Sequence, residues 1–316
     1  MRDREPVRVI CGPTGAGKTA LLLRLAEVVG APSLRVIGAD SRQVYRGFVI
    51  GTAAPSPDER RRVPHALVNV IDPRTRFTAA HWAEAARAAI DAAHAEGAVP
   101  VVVGGTGFYL RALETPLFAE PPLDERQRAQ LRIWMRARSH DEITRWADRL
   151  DPGAAHPGRA QRERAVEMAL LTGRPLSDWR RDAAVSEAVG VTLRTLVIDP
   201  GPALAEQLEA RTIAMCDSGW LAEVDALMQT VPEAAPAWLA CGYLALRDVV
   251  AGRRRLDDAL EAVRIETRQY VKRQRTWFRH QLRNGTVTRL DPSAPDALAR
   301  AIEWWHGGAS VPHEAP

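Results

Sequence analysis

Residues Gly12 to Thr19 read GPTGAGKT and fit the spacing G-x-x-x-x-G-K-[ST] without a mismatch. Ahead of them, Val7, Val9 and Ile10 suit a short buried strand. Behind them, Leu21, Leu22, Leu25 and Val28 recur at helical spacing. A strand that turns through glycines into a helix commits the chain to α/β architecture. The turn also has a chemistry. Glycines let backbone N–H groups curl around an anion, and the helix N-terminus adds positive potential. Gly12, Pro13, Thr14, Gly15, Ala16, Gly17, Lys18 and Thr19 are therefore the expected phosphate-binding residues. Lys18 can reach an outer phosphate, and the Thr19 hydroxyl can ligate Mg2+. Of 43 cationic residues only Lys18 and Lys272 are lysines. In an arginine-using chain, a compact ammonium sits where a cradle needs a point charge.

The rest of the chain narrows the setting. Its 316 residues suffice for one large domain or two modest ones, and 46% hydrophobic content supports a core. No run of about 18 apolar residues occurs, so no membrane partner is expected. The N-terminus MRDREPVRVI enters a strand at once, which leaves no room for a signal peptide. Cys11, Cys216 and Cys241 are odd in number and widely spaced, arguing against a disulfide framework and for a reducing, cytoplasmic setting. A formal charge of +4 fits a polyanionic partner without demanding one.

Strand and helix alternate through the first part. Leu34–Ser41 predicts a second strand ending at Asp40, and Ala66–Asp72 a third. A helix with Thr78 as its cap follows, and Val99–Gly107 is an apolar strand running into a glycine turn. Val191–Pro200 predicts one further strand, after which the chain reads as helical. The expected fold is a phosphate-loop parallel sheet flanked by helices, with ligands at the carboxyl ends of the strands. Residues 120–188 differ. They lack strands, are rich in arginine and tryptophan, and read as a mainly helical insertion with DPGAAHPG as its internal turn. Residues 1–119 and 189–316 then form the core, with a frayed tail.

A phosphate loop usually implies a kinase or an NTPase, with an acid after another apolar strand to help hold magnesium. Here Val101-Val102-Val103 runs into Gly-Gly-Thr, whereas the second strand ends in Asp40. An acid at that place can be a metal ligand, a base or a turn cap. The kinase reading survives but is not compelled.

A wider set of stretches narrows the choice. Beside the phosphate loop stand Asp40-Ser-Arg-Gln-Val-Tyr-Arg-Gly47, Ile50-Gly-Thr-Ala53, Val63-Pro-His65 and Ile71-Asp-Pro73. Further along are Val103-Gly-Gly-Thr-Gly107 with Tyr109, Thr172-Gly173, Gly242-Tyr243, Thr267-Arg-Gln-Tyr, Lys272-Arg-Gln and Thr276-Trp-Phe. In this order, over nearly the whole chain, they resemble the bacterial tRNA dimethylallyltransferases, also called tRNA isopentenyltransferases. The resemblance implies transfer of a dimethylallyl group from dimethylallyl diphosphate to the exocyclic amine of the adenosine just 3′ of a tRNA anticodon. The phosphate loop then holds a leaving group, aided by Lys18 and by Mg2+ on Thr19. Asp40 becomes the base that takes the amine proton. Thr106 lies near the same amine and the departing diphosphate, and Arg211 neutralises the diphosphate. Asp40, Ser41, Arg42, Gln43 and Thr106 face the flipped adenosine, with Gln43 bonded to the base. Arg128, Gln161, Arg162 and Arg164 of the insertion match tRNA-contacting positions. The expected partner is the tRNA anticodon stem-loop, and the expected state is a monomer.

Several positions depart from the pattern, among them Leu239, Leu244, Arg42, the stretch after His156-Pro157 and the region of Gln207. They bear on RNA contacts rather than on the diphosphate site. An adenylate isopentenyltransferase would share the loop and the Asp40 strip but not need the arginine-bearing insertion. A small-molecule kinase would place its acid elsewhere, and a non-catalytic binding module would not need an intact loop. Finally, Leu256–Arg283 predicts one long helix. Arg264, Arg268, Lys272, Arg275, Arg279 and Arg283 fall on one side of it, a basic stripe suited to tRNA, with Val263, Tyr270, Val271, Trp277 and Phe278 on the other.

Overall fold

The computed structural model describes residues 5–30, 33–115, 117, 120–185, 190–282 and 286–307. In chain order the elements are β1 (Val7–Cys11), α1 (Lys18–Val29), β2 (Leu34–Gly38), α2 (Pro57–Arg62), β3 (His65–Ala66), α3 (Ala79–Ala95), β4 (Val99–Gly104) and α4 (Gly107–Glu114). Next come α5 (Glu125–Arg136), α6 (His140–Leu150), α7 (Arg159–Thr172) and α8 (Leu176–Val185). Then follow β5 (Leu193–Ile198), α9 (Leu204–Asp217), α10 (Trp220–Thr230), α11 (Tyr243–Val250), α12 (Leu256–His280), β6 (Thr286–Leu290) and α13 (Ala297–His306).

The sheet has six strands in the order β3-β2-β4-β1-β5-β6, and every pair is parallel. Register explains the apolar runs. Ile10 pairs with Val103, Arg8 with Val101, and Val101 with Val36, so these residues point to one face. That face buries Ile10, Val36, Val101 and Leu196 against Leu21, Leu22 and Leu25 of α1 and Trp304 and Trp305 of α13. The residues of opposite parity, Val9, Ile37 and Val102, are equally inaccessible. Strands covered on both faces read as continuous β-branched runs rather than alternating ones. All carboxyl ends face one edge, so the turns after β1, β2, β4 and β5 gather there.

The third strand differs from expectation. Only His65 and Ala66 pair with β2. Leu67 and Asn69 take φ of 59° and 54°, left-handed values that break a strand. The predicted continuation survives as a single bridge between Tyr45 and Ile71. β6 was not expected at all, since TVTRL is short and half polar, yet it adds to the β5 edge.

The chain forms two compact units. One comprises Met1–Glu114 with Val191–Pro316, and the other is Thr115–Gly190. The first holds the sheet and a second apolar cluster in which Phe48, Trp220, Trp238 and Tyr243 meet. The second contains α5 to α8 around Met135, Ile143, Ala147, Val166, Met168 and Leu176.

Candidate active site

The site is built at the strand ends. After β1 the chain turns through Gly12, whose φ is +152° and whose added Cβ would lie 2.1 Å from the Ile198 carbonyl oxygen. Only glycine brings the loop this close to β5. α1 then starts on Gly17, left-handed at φ 81°, with no side chain capping it and no acid in its first turn. Its leading N–H groups are left for an anion. Lys18 Nζ lies over the loop and donates to the carbonyls of Gly12 at 3.1 Å and Pro13 at 2.8 Å. Desolvation pushes its pKa down to about 8, against the opposing pull of Asp40, and Arg211 lowers it further.

Asp40 follows β2. Its Oδ1 accepts from the N–H groups of Arg42 at 2.8 Å and Gln43 at 3.4 Å, which fixes the carboxylate by a local turn. The turn uses one carboxylate oxygen and leaves the other out of it. Thr106 follows β4 and is stitched to the same strip. Its N–H donates to Ala39 O at 3.0 Å, and its hydroxyl accepts from Ser41 N–H at 3.0 Å. Gln43 donates its amide to the carbonyls of Thr52 and Ala53, both at 3.0 Å, so its NH2 is committed to the protein. Arg42 Nη1 reaches the Pro236 carbonyl at 3.4 Å.

A cavity of about 70 Å³ adjoins Asp40 and Arg42, without Lys18, Gln43 or Thr106 in its lining. Its lining combines the polar Thr14, Asp40, Arg42 and Arg211 with the apolar Leu208, Met215, Trp220 and Val263. Among the described residues no carboxylate lies within ion-pair distance of Lys18 or Arg211. Burial lowers the Arg211 pKa while the charge of Asp40 raises it. Such a cavity suits a ligand with a polyanionic head and a small apolar body.

Two residues of α12 belong to this site and were not anticipated there. Tyr270 lines the cavity. Burial drives its phenol pKa up, with Asp40 adding to the rise and a hydrogen bond to the Thr106 hydroxyl opposing it. Gln274 is buried and joins Thr14 to Gly105. Its signal was legible: a polar residue in the apolar stripe of Val263, Val271 and Phe278. Cys241 also lines the cavity, and burial pushes its thiol up to about 12, which disfavours the thiolate.

Other expected contacts need correction. Arg128 is 2% exposed and makes a bidentate pair with Glu167 at 2.7 and 3.2 Å. It also pairs with Glu120 at 3.0 Å. Its charge is spent inside the second unit, where it acts as a buttress instead of a free phosphate contact. Arg164 is similarly held, by Glu167 at 2.6 Å and Glu120 at 2.8 Å. Arg162 meets the His140 ring at 2.8 Å, and Gln161 is exposed. Both sit in the first turn of α7, which begins at Gly158 with no side-chain cap. The basic stripe is also shorter than expected. Arg275 turns to Asp199 at 2.6 and 2.8 Å and to the Gly201 carbonyl at 2.6 Å. Arg264 pairs with Glu261 of its own helix at 3.0 Å. Arg268, Lys272 and Arg279 remain exposed, and Arg283 lies outside the described residues. Leu239 and Leu244 are 59% and 41% exposed.

Fold and crevice together define a parallel α/β protein whose first strand-to-helix turn runs through glycines into an uncapped helix start, with an acid at a neighbouring strand end. Comparison with known proteins gives this class its family. The family model described as IPP transferase matches residues 43–281. The chain is 38% identical over 286 residues to the tRNA dimethylallyltransferase of Geobacter metallireducens, covering 88% of this chain and 92% of the relative. It is 41% identical over 298 residues to that of Rhodospirillum centenum, covering 92% and 93%. Among solved structures, the full-length tRNA isopentenylpyrophosphate transferase of Bacillus halodurans superposes with a TM-score of 0.66 at 28% identity, over 96% of this chain and 97% of that one. A eukaryotic dimethylallyltransferase acting on tRNA gives 0.75 at 25% identity, over 98% and 82%. The chain belongs to the IPP transferase family.

Proposed function

We propose that this protein transfers the dimethylallyl group of dimethylallyl diphosphate to the exocyclic amine of the adenosine 3′-adjacent to a tRNA anticodon, giving N6-isopentenyladenosine. The observation that carries this reading is the pairing of Asp40 with Thr106 on one stitched strip, with Lys18 and the phosphate loop across the crevice. The tRNA relatives support tRNA over a free nucleotide as acceptor.

The residues divide the work. Breaking the allylic C–O bond leaves negative charge on the diphosphate. The loop N–H groups, Lys18 and Arg211 stabilise that charge where it develops. The adenine amine is a weak nucleophile because its lone pair is delocalised into the ring. Asp40 accepts its proton as the new C–N bond forms. Thr106, held to Ser41, orients the amine and the leaving oxygen. Flipping the base out of a loop costs a few kcal/mol, less than from a duplex. Arg42, whose side chain borders the cavity, and Gln43, through its carbonyl oxygen, would meet that base. Among the described residues no group of three His, Cys, Asp or Glu side chains is arranged to hold a metal. In a phosphate loop the Ser/Thr hydroxyl gives Mg2+ one ligand while phosphate oxygens and water supply the rest, and Thr19 would be that donor. Such an ion supplies charge neutralisation of the leaving group.

Gln161 and Arg162, at the uncapped start of α7, are the insertion residues we assign to tRNA. No helix among the described residues is long and apolar enough to cross a membrane. The reading places a monomer in the cytoplasm with its tRNA. Labelled dimethylallyl diphosphate offered with bulk tRNA or with AMP tests it: label in tRNA is expected, and label in AMP alone would make the protein an adenylate isopentenyltransferase.

A further inference from the structure

α12 sends side chains to three strand-end turns. Gln274 Oε1 accepts from Thr14 N–H in the phosphate loop at 2.9 Å, and its Nε2 donates to the Gly105 carbonyl after β4 at 2.8 Å. One turn earlier, Tyr270 lies by Thr106, whose hydroxyl opposes the rise that burial gives the phenol pKa. Arg275, the residue after Gln274, grips Asp199 after β5. Gln274 holds the centre of this arrangement.

The chemistry of the contact is restrictive. The N–H of Thr14 needs an acceptor and the carbonyl of Gly105 needs a donor. A planar carboxamide offers one of each, and this pairing fixes which end is oxygen. Gln274 is 5% exposed, so an unmade bond on either side would leave a buried polar group unsatisfied. The fit is close: a Cβ on Gly105 would lie 2.4 Å from Gln274 Nε2. Gly105 also adjoins Thr106, whose N–H and hydroxyl are bonded to Ala39 and Ser41 on either side of Asp40. A displacement of Gly105 therefore carries Thr106 and the Asp40 strip with it, relative to the phosphate loop.

We propose that Gln274 is a positioning residue for group transfer: its amide sets the separation between the phosphate loop and the Gly105–Thr106 turn. The proposal rests on the transfer reaction above. In that reaction the loop holds the leaving group while Asp40 and Thr106 hold the nucleophile, so the amide spans the two halves of the reacting pair. A misplacement of about 1 Å can cost on the order of 10²-fold in rate.

The test is steady-state transfer to tRNA by Gln274→Glu and Gln274→Met from pH 5.5 to 8.5, with thermal unfolding alongside. Glutamate keeps an acceptor for Thr14 N–H. When ionised it sets a second acceptor against the Gly105 carbonyl, and when protonated it restores the donor. Burial raises its pKa above the ordinary value of about 4.3. At pH 8 we expect kcat of both variants to fall by at least about tenfold. Relative to wild type, the Glu variant recovers as pH falls, whereas the Met variant stays low throughout. Wild-type kcat in both variants would overturn the proposal. So would losses that follow unfolding midpoints with no recovery at low pH, the signature of a purely structural role. If the Glu variant does not fold, kcat of the isovolumetric Met variant at its wild-type KM decides. Lys18→Ala separates the two readings. If wild type transfers label and Lys18→Ala does not, but both Gln274 variants do, only the clamp is wrong. If wild type itself labels no tRNA, the transfer reading fails.

Discussion

Two regions of this molecule are rich in charge, and they use it in opposite ways. In the crevice, α1 begins on an uncapped left-handed glycine. Lys18 and Arg211 have no carboxylate within ion-pair distance among the described residues. In the insertion, Asp124 caps α5 by accepting from Arg126 and Gln127, and Ser139 with Glu142 forms a capping box on α6. Arg128 and Arg164 share Glu120 and Glu167. The insertion meets its buried Arg128 and half-buried Arg164 with its own carboxylates and caps α5 and α6 with side chains. Among the described residues, the crevice holds Lys18 on backbone carbonyls alone and gives neither it nor Arg211 a carboxylate. An arginine count therefore says little about polyanion binding; the partners of each arginine decide. The exception inside the insertion sharpens the point, because α7 starts uncapped beside Gln161 and Arg162.

The contrast can be broken by substitution. The largest effect belongs to Asp40→Asn, which preserves shape but cannot take the proton. Single-turnover transfer should slow by about 10²–10⁴-fold with both substrates still bound. An unchanged rate would remove Asp40 as the base. Glu167→Gln probes the other region. Burial disfavours its charge, yet the hydrogen bonds from Arg128 and Arg164 outweigh it and hold the carboxyl below its usual range. Breaking such a buried cluster typically costs about 3–5 kcal/mol. The loss should appear in denaturant melts of the protein, while affinity for dimethylallyl diphosphate is kept. A depressed carboxyl stabilises the fold above its unfolded pKa of about 4.3, and that contribution disappears as pH falls through the lower folded value.

Smaller effects follow from the unpaired cations. Lys18 has a pKa near 8 in place of 10.5. Diphosphate affinity, measured without tRNA, should weaken as pH rises through about 8 and the ammonium deprotonates. The sign for stability is the reverse: between about 8 and 10.5 the unfolded chain binds more protons, so folding gains as pH rises across that window. Smallest is the change for Arg268→Ala with Lys272→Ala. If these exposed residues meet tRNA phosphates, the slope of log affinity against log salt should become shallower by roughly 0.7–0.9 per contact. Arg275→Ala, once grouped with them, should instead destabilise the turn after β5. A salt slope that responds to Arg275 and not to Arg268 would reverse the assignment.

The legible parts of the molecule are those where one local rule suffices. The phosphate loop announces itself by spacing, α3 by Thr78, which accepts from His81 N–H, and β1, β2 and β4 by their two-sided burial. What escaped the sequence depends on distant partners. β6 forms from a half-polar five-residue stretch because the β5 edge is there to receive it. β3 stops after two residues because Leu67 and Asn69 adopt left-handed φ; Asn69 is a type that tolerates it, but nothing about Leu67 signals it. Arg128 looks like an RNA contact until Glu167, 39 positions later, folds against it. Gln274 is the instructive case. Its place in an apolar stripe marks it as buried, but only the arrival of Thr14 and Gly105 from two other turns explains why it must be an amide.

The account stands most directly on the claim that the crevice's unpaired cations hold the diphosphate. Calorimetric titration of dimethylallyl diphosphate, with Mg2+ and without tRNA, measures this for wild type, Lys18→Ala and Arg164→Ala. A charge-assisted hydrogen bond is worth about 1.5–3 kcal/mol, so Lys18→Ala should weaken binding by at least about tenfold, while Arg164→Ala leaves it unchanged. Equal affinities for wild type and Lys18→Ala, or a loss confined to Arg164→Ala, would contradict it.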